Sequence, residues 1–475
     1  MQKKEILTKF SEVKEELSKQ TLDTKTRLLI NTLFLFIEFF LLKHGLNSKN
    51  SSIPPSQDPN RQKQSRSKNK RKPGGQANHQ GVTLTRTDTP DKIVKIKIDR
   101  RLLPKGKKFK SQESIRRQVM DFDVIVTVTE YQGEVLIDEE GNQYMAKFPF
   151  HVTQPIQYGA KVKANAVYMN CFQMSSYERI QDHFDDQIGI HLSQGSLYNF
   201  IKQAKDSLEA FTLWVKGKLK TSKICHADET GINIDGKRKW LHTVCNRRYT
   251  FFLPHDKRGA EAIRDAGILT EFRGMLGHDH WKVYFSDEFK FSHFLCNAHH
   301  IRELTCIEEV EGYSWATKMR DFLISLNEEV QKRGGKLSVQ RQDEACKEYR
   351  AIIALGEKEC PENTEKNGKR GRIKQSKGRN LLQRLSAYEN ETLAFMKNID
   401  VPFTNNQAEN DLRMTKVQQK VSGCFRSMEG AETFAVIRAY INTCRKHDIN
   451  ITEALQAVFL GKTEEILAKM DKMAE

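Results

Sequence analysis

Three acidic residues in this 475-residue chain stand where elements of structure are expected to end or begin. Asp228 follows a strand-like run in Cys225-His226-Ala227-Asp228-Glu229-Thr230, and Asp279 follows another in Leu276-Gly277-His278-Asp279-His280-Trp281. Glu409 lies in the first turns of a helix in Thr404-Asn405-Asn406-Gln407-Ala408-Glu409. Carboxylate oxygens are the ligands that Mg²⁺ and Mn²⁺ prefer. Two such ions, about 3.5–4 Å apart, suit the in-line displacement of a phosphodiester. One aspartate bridging both ions, with two further carboxylates completing the pair, would account for three acidic side chains separated by 51 and 130 positions. Neighbouring strand ends and a facing helix are what could gather them.

The surroundings of these residues leave other readings open. Arg413, Lys416 and Lys420 follow Glu409 on one helical stripe, where they could meet DNA phosphate; the same spacing is that of ordinary surface ion pairs. An acidic residue after a strand is also common. Cys296-x-x-His299 has half the spacing of a zinc site, with no second half evident. His278 and His280 flank Asp279, but on a strand they would share the face opposite to it.

The elements that must position these groups follow from hydrophobic period. Lys223–Ala227, Lys239–Asn246 and Tyr249–Leu253 read as strands, Ala260–Leu269 as a helix, and Gly274–Gly277 as a short strand. Phe291–Cys296 is a further strand, followed by a helix through His300 and Leu304. Residues 312–400 are mostly helical with a basic loop from Cys360 to Asn380, and a last helix starts near Thr404-Asn405 and runs past Lys420. Upstream, Ser175-Ser176 and Ser193-Gln194-Gly195-Ser196 are helix starts on either side of Gly189, a pattern shared by helix-turn-helix units and by plain helical hairpins. Phe122, Val124, Val126 and Val128 alternate as in a strand, with a turn at Glu139-Glu140-Gly141-Asn142.

The chain divides on this basis into a helical, coiled-coil-like element at 1–46, a basic linker at 47–89, a small β module at 90–160 and a helical segment at 161–220. A first core part at 221–305, a helical insertion at 306–400 and C-terminal helices at 401–475 complete it. The linker holds seven Lys/Arg between Arg61 and Lys72, so Lys70, Arg71 and Lys72 are candidates for lying along phosphates. A net charge of +17 favours a polyanionic partner. The nine cysteines are odd in number and irregular in spacing, with no CxxC pair, which suits reduced thiols in a cytosol. The most apolar stretch, Leu28–Leu42, is too short and polar for a membrane span, and no signal peptide is read at the N-terminus.

At these residues the chain resembles the transposases of the insertion-sequence sixty-six family, TnpC type. The resemblance is carried by Lys72-Pro73-Gly74-Gly75-Gln76 with His79-Gln80-Gly81, Gln157-Tyr158-Gly159, His226-Ala227-Asp228-Glu229-Thr230, and Cys296-Asn297-Ala298-His299 with Arg302-Glu303-Leu304. Its most specific block is Pro402-Phe403-Thr404-Asn405-Asn406-Gln407-Ala408-Glu409 with Arg413, Lys416, Gln419-Lys420, Gly423 and Phe425-Arg426-Ser427. The resemblance implies a multidomain α+β chain with an RNase H-like core, interrupted by a helical insertion between the second Asp and the Glu. It implies DDE chemistry, in which a DNA strand is cut and its 3′-hydroxyl joined to target DNA, with Asp228, Asp279 and Glu409 as the triad and two Mg²⁺ or Mn²⁺ ions. DNA contacts would fall to Arg413, Lys416, Lys420 and Arg426. Cys296 and His299 match the family's Cys-x-x-His element. Transposon ends and target DNA are the implied partners, with a homo-oligomer on DNA and accessory transposition proteins beside it, in a bacterial cytoplasm at the nucleoid.

Two departures stand out. Leu102-Leu103-Pro104-Lys105-Gly106 occupies the place of the family's Cys-Pro-x-Cys-Gly stretch, so no zinc is expected there, and Thr404 replaces the usual Asp before the Asn pair, where it could still cap the helix. The alternatives to a working transposase are a transposon-derived DNA-binding protein that no longer cuts and a zinc hydrolase built on Cys296 and the histidines.

Overall fold

The computed structural model describes residues 23–45, 84–110, 112–364, 373 and 375–473, together with positions 13, 16, 17, 19 and 58. Lys70, Arg71, Lys72 and the Gly-Gly-Gln motif lie outside the described residues. The chain separates into two units, residues 62–128 and the rest. In the smaller unit no strand is formed among the described residues. The alternating run from Phe122 to Val128 is exposed, with Ile125 83% accessible, and finds no partner strand: period-two patterning gives a strand only where a neighbour takes up the backbone bonds. The β content expected for 90–160 reduces to one hairpin in the larger unit, β1 (Val135–Ile137) with β2 (Gln143–Met145). Its turn falls at Glu139–Asn142, where Asp138 N–H and Gly141 N–H close the loop.

Helix α1 (Thr24–Gly45) belongs to the larger unit. After the hairpin come α2 (Ala160–Val167), α3 (Tyr177–His183), α4 (Gln194–Asp206) and α5 (Glu209–Lys220). Ser176 and Ser193 cap α3 and α4 by accepting from Arg179 N–H and Ser196 N–H, and Gly189, at φ 75°, turns the chain between them.

A five-stranded mixed sheet follows: β3 (Ile224–Ile234), β4 (Lys237–Cys245), β5 (Thr250–His255), helix α6 (Ala260–Ala266), β6 (Met275–His278) and β7 (Ser292–Leu295). Its order is β5-β4-β3-β6-β7, with β3, β4 and β5 antiparallel and β3, β6 and β7 parallel. The first strand does not end at Asp228, as its apolar start suggested. It continues to Ile234 because β4 pairs with it along its length, with Ile234 opposite Lys237. The two-residue link is Asp235-Gly236, both at positive φ (50° and 72°), the conformation that matches strand twist and that Asp-Gly favours.

Beyond β7 lie α7 (Asn297–Val310), α8 (Ser314–Lys332), α9 (Val339–Glu359), α10 (Lys377–Ala387) and the single turns α11 (Glu389–Thr392) and α12 (Ala394–Lys397). These helices share a core around Trp315, Tyr349 and Leu381, which Phe294 of β7 joins to the sheet. The chain then returns as α13 (Asn406–Ser422), which packs on β3 and β4, and α14 (Met428–Lys446), which packs on β5. Helices α15 (Ile451–Phe459) and α16 (Thr463–Lys472) close the other core together with α2–α5.

Gly277 shows how closely the neighbouring strands β6 and β7 pack. A Cβ there would lie 2.1 Å from Cζ of Phe294, whose ring is 1% exposed. Gly277→Ala is expected to cost about 1–3 kcal/mol through forced displacement of a fixed ring. Urea unfolding would show a lower midpoint at unchanged slope; an unchanged midpoint would mean that the ring moves aside freely.

Candidate active site

Register brings the first two acidic residues together. In the parallel pair β3–β6, His226 lies opposite Gly277. Asp228 and Asp279 are each two positions further on, so both step past the same rung and face the same side of the sheet. Asp228 is mid-strand, opposite Thr243 of β4. Asp279 is just beyond the end of β6, where its Oδ1 accepts from Trp281 N–H at 2.9 Å.

Glu409 arrives from the first turn of α13, and Asn405 sets its place. Asn405 is the residue before the helix, and its side chain does not cap it. Its Nδ2 donates to Ala227 O at 2.9 Å, and its Oδ1 lies 2.7 Å from His226 Nδ1. Both partners directly precede Asp228. Thr404 does not cap α13 either, against expectation: the helix begins one residue later and is anchored by Asn405 across to the sheet.

Cys296 completes this lacing. Its N–H donates to His278 O at 3.1 Å, and its buried Sγ accepts from Asn405 N–H at 3.1 Å, while Asn297 N–H donates to Phe403 O. One residue of the Cys-x-x-His element thus ties the end of β6, beside Asp279, to the start of α13. His299, one helical turn on, places Nε2 3.9 Å from Glu409 Oε1, and Arg302 Nη2 lies at the same distance. Potential ligand atoms of Cys296, His299 and Glu409 lie within 4.8 Å of one another.

The cluster gathers negative charge in a buried place. Burial, followed by the charges of Glu229, Asp279 and Glu409, raises Asp228 well above the usual carboxylate range. Oε1 of Glu409 is buried with no hydrogen-bond partner. Positive charge comes from Arg302 beside Glu409 rather than from His226, His278 and His280, since burial lowers His226 to about 4 and His278 and His280 to about 3. Carboxylate oxygens are of the hard type that divalent metal prefers; among the described residues, the ligand atoms near Glu409 that lie within 4.8 Å of one another are those of Cys296, His299 and Glu409 itself.

The match with known families then decides the class of protein. A family model described as "Transposase IS66 family" matches residues 155–433. The chain belongs to the IS66 transposase family. The match covers the sheet, the helical layer and α13, and hence all three acidic residues of this IS66-family transposase. No curated protein matches the chain. No described helix is long and apolar enough to cross a membrane.

The cationic candidates fall on one run. Arg413, Lys416 and Lys420 of α13 and Arg426 just after it are exposed. Lys416 also donates through its ammonium to Gly231 O of β3, so it helps seat the helix. Phe425 continues this seating, exchanging backbone bonds with Asn233 and Asp235 at the β3–β4 turn.

Sequence reasoning missed a second buried group beside the acids. Glu229, on the opposite face of β3 from Asp228, accepts from Nε of Arg258 at 2.7 Å, from Nη2 of the same guanidinium, and from Tyr284 Oη at 3.0 Å. Burial and then the Asp279 charge push Glu229 up, to about 7, against the pull of Arg258 and Tyr284. These partners are 29 and 55 positions away, and nothing in their local spacing announces the contact. The same holds for Asp411, two residues past Glu409, which is paired with Lys446 of α14 at 2.6 Å.

Proposed function

We propose that this IS66-family transposase cuts a DNA strand and transfers its 3′-hydroxyl to a target through Asp228, Asp279 and Glu409. The observation that carries the reading is the convergence of three acidic segments on one site: Asp228 and Asp279 by parallel register, and Glu409 by the Asn405 anchor. The strand order, with three antiparallel strands followed by two parallel ones across the first, supports an RNase H-like core. Helices α8–α12 would then be an insertion between the second aspartate and the glutamate.

The three carboxylates would hold Mg²⁺ or Mn²⁺, two ions in this reading, which when bound activate the attacking oxygen and stabilise the leaving one. The chain's own part is positional. Cys296 and Asn405 hold the acid-bearing segments in fixed relation. Arg413, Lys420 and Arg426 lie further along the polypeptide that carries Glu409, where they suit the phosphates flanking the reacting bond.

Metal-stripped protein, supplied with DNA carrying the transposon ends, should regain cleavage and strand transfer on addition of Mg²⁺ or Mn²⁺. Salt-sensitive end binding with no metal-restored cleavage would instead identify a DNA-binding protein that no longer cuts. Restoration by zinc alone would shift the chemistry to Cys296 and His299.

A further inference from the structure

We infer that Arg258 is a phosphate-binding residue of the same site: it holds a non-bridging oxygen of the DNA strand being cut, and Glu229, Trp240 and Trp281 position it for that role. The inference rests on the transposase reading above and adds to it a group outside the triad.

Arg258 lies in the loop between β5 and α6, and its guanidinium is held by one carboxylate and two indole rings. Glu229, whose side chain is 1% exposed, takes both Nε and Nη2 on a single oxygen. The guanidinium carbon sits 4.5 Å from the ring centre of Trp281 and 5.0 Å from that of Trp240. Trp281 is itself tied to Asp279 by the bond from its N–H to Oδ1. The arginine is therefore linked to both aspartate segments, through Glu229 on β3 and through Trp281 after β6.

Structural anchoring alone does not account for the rest of the side chain. Nη1 makes no hydrogen bond among the described residues, and the side chain is 38% exposed despite its fixed partners. It lines a cleft of about 360 Å³ together with Asp279, His280, Trp281 and His299. The other arginine of that cleft, Arg384, is paired with Glu303. Arg258 thus presents free donors in a cleft that Asp279, of the three acids, also lines, on a guanidinium held by Glu229 and the two indole rings. A planar fork held in this manner suits an anionic phosphate oxygen, and a donor already oriented stabilises charge developing on that oxygen without reorganisation. Lysine in its place would keep the charge but lose the stacking and the fixed fork.

The test uses full-length protein and end-containing DNA with either oxygen or a phosphorothioate of defined stereochemistry at the scissile phosphate. Arg258→Ala should lower kcat by ~10²–10³ with little change in KM, as for loss of one preorganised donor. Wild-type protein should be slowed by sulfur in one stereoisomer, with no recovery in Mn²⁺, and Arg258→Ala should have lost that discrimination. Glu229→Gln should lower kcat in the same direction, and adding it to Arg258→Ala should cause no further loss. Arg258→Lys serves should the alanine variant not fold, and it should show a smaller drop in kcat with the same loss of discrimination. Wild-type kcat in a folded Arg258 variant, or full retention of the sulfur penalty, would overturn the inference alone. Absence of metal-dependent cleavage by the wild-type protein would overturn the transposase reading and this one with it.

Discussion

Replacing Asp228 by asparagine should abolish strand cleavage and transfer while leaving the protein folded and able to bind DNA. The substitution changes one oxygen for nitrogen, so packing within β3 is preserved. In the proposed mechanism it removes one anionic ligand from a site whose metals would supply several kcal/mol of transition-state stabilisation. At 1.36 kcal/mol per decade, a fall of about 10³-fold or more is expected. Stability should move the other way. Burial and like charge hold the Asp228 pKa above its unfolded value, so above that unfolded value the charged group destabilises the metal-free fold, and neutralising it relieves this cost. In EDTA at pH 7 the variant should therefore melt at or above the wild-type temperature. Wild-type protein should gain melting temperature on adding Mg²⁺ or Mn²⁺, through preferential binding to the folded state, and the variant should gain much less. Strand transfer near the wild-type rate, or an equal shift with metal, would remove Asp228 from the site.

How far such a site could be read beforehand depends on the range of the interactions involved. Asp228 and Asp279 could be singled out because each follows a short apolar run, and Glu409 because it opens a helix in the Thr404–Glu409 block; most strand boundaries of the sheet fell within a residue or two of the expected ones. The end of β3 was misjudged because polarity rises at Asp228, yet a strand between two others can carry polar residues where the site needs them. The Asp235-Gly236 pair that ends its hairpin was a usable local signal. The run from Phe122 to Val128 failed for the opposite reason: its alternation is strong, but no partner strand is supplied among the described residues. Asn405 was visible only as part of a motif. Its function lies in bonds to Ala227 and His226, 178 and 179 positions away, and no local pattern encodes such a contact. Glu229 with Arg258 belongs to the same class.

Lys446→Met should be the most destabilising of the substitutions considered, at about 3–5 kcal/mol, because it strands a buried carboxylate. Lys446 Nζ lies 2.6 Å from Asp411 Oδ2 and also donates to Asn246 O, Tyr249 O and Thr250 Oγ1. The paired side chains are only 12% and 9% exposed. Without the ammonium, Asp411 retains the hydroxyl of Thr250 at 2.9 Å and a long bond from Gln407, too little to compensate its charge. Burial alone does not make the ion pair stabilising, since an apolar pair of similar volume can serve as well. The double variant Asp411→Leu with Lys446→Met should accordingly recover much of the loss in urea unfolding. The pair also bears on the site, because Asp411 is half a turn from Glu409 on α13 and fixes the rotation of that helix against β5 and α14. Recovered stability without recovered strand transfer would show that α13 needs this polar contact to hold Glu409 toward Asp228. Recovery of both would leave that orientation to Asn405 and Lys416, and a single variant as stable as wild type would exclude any energetic role for the pair.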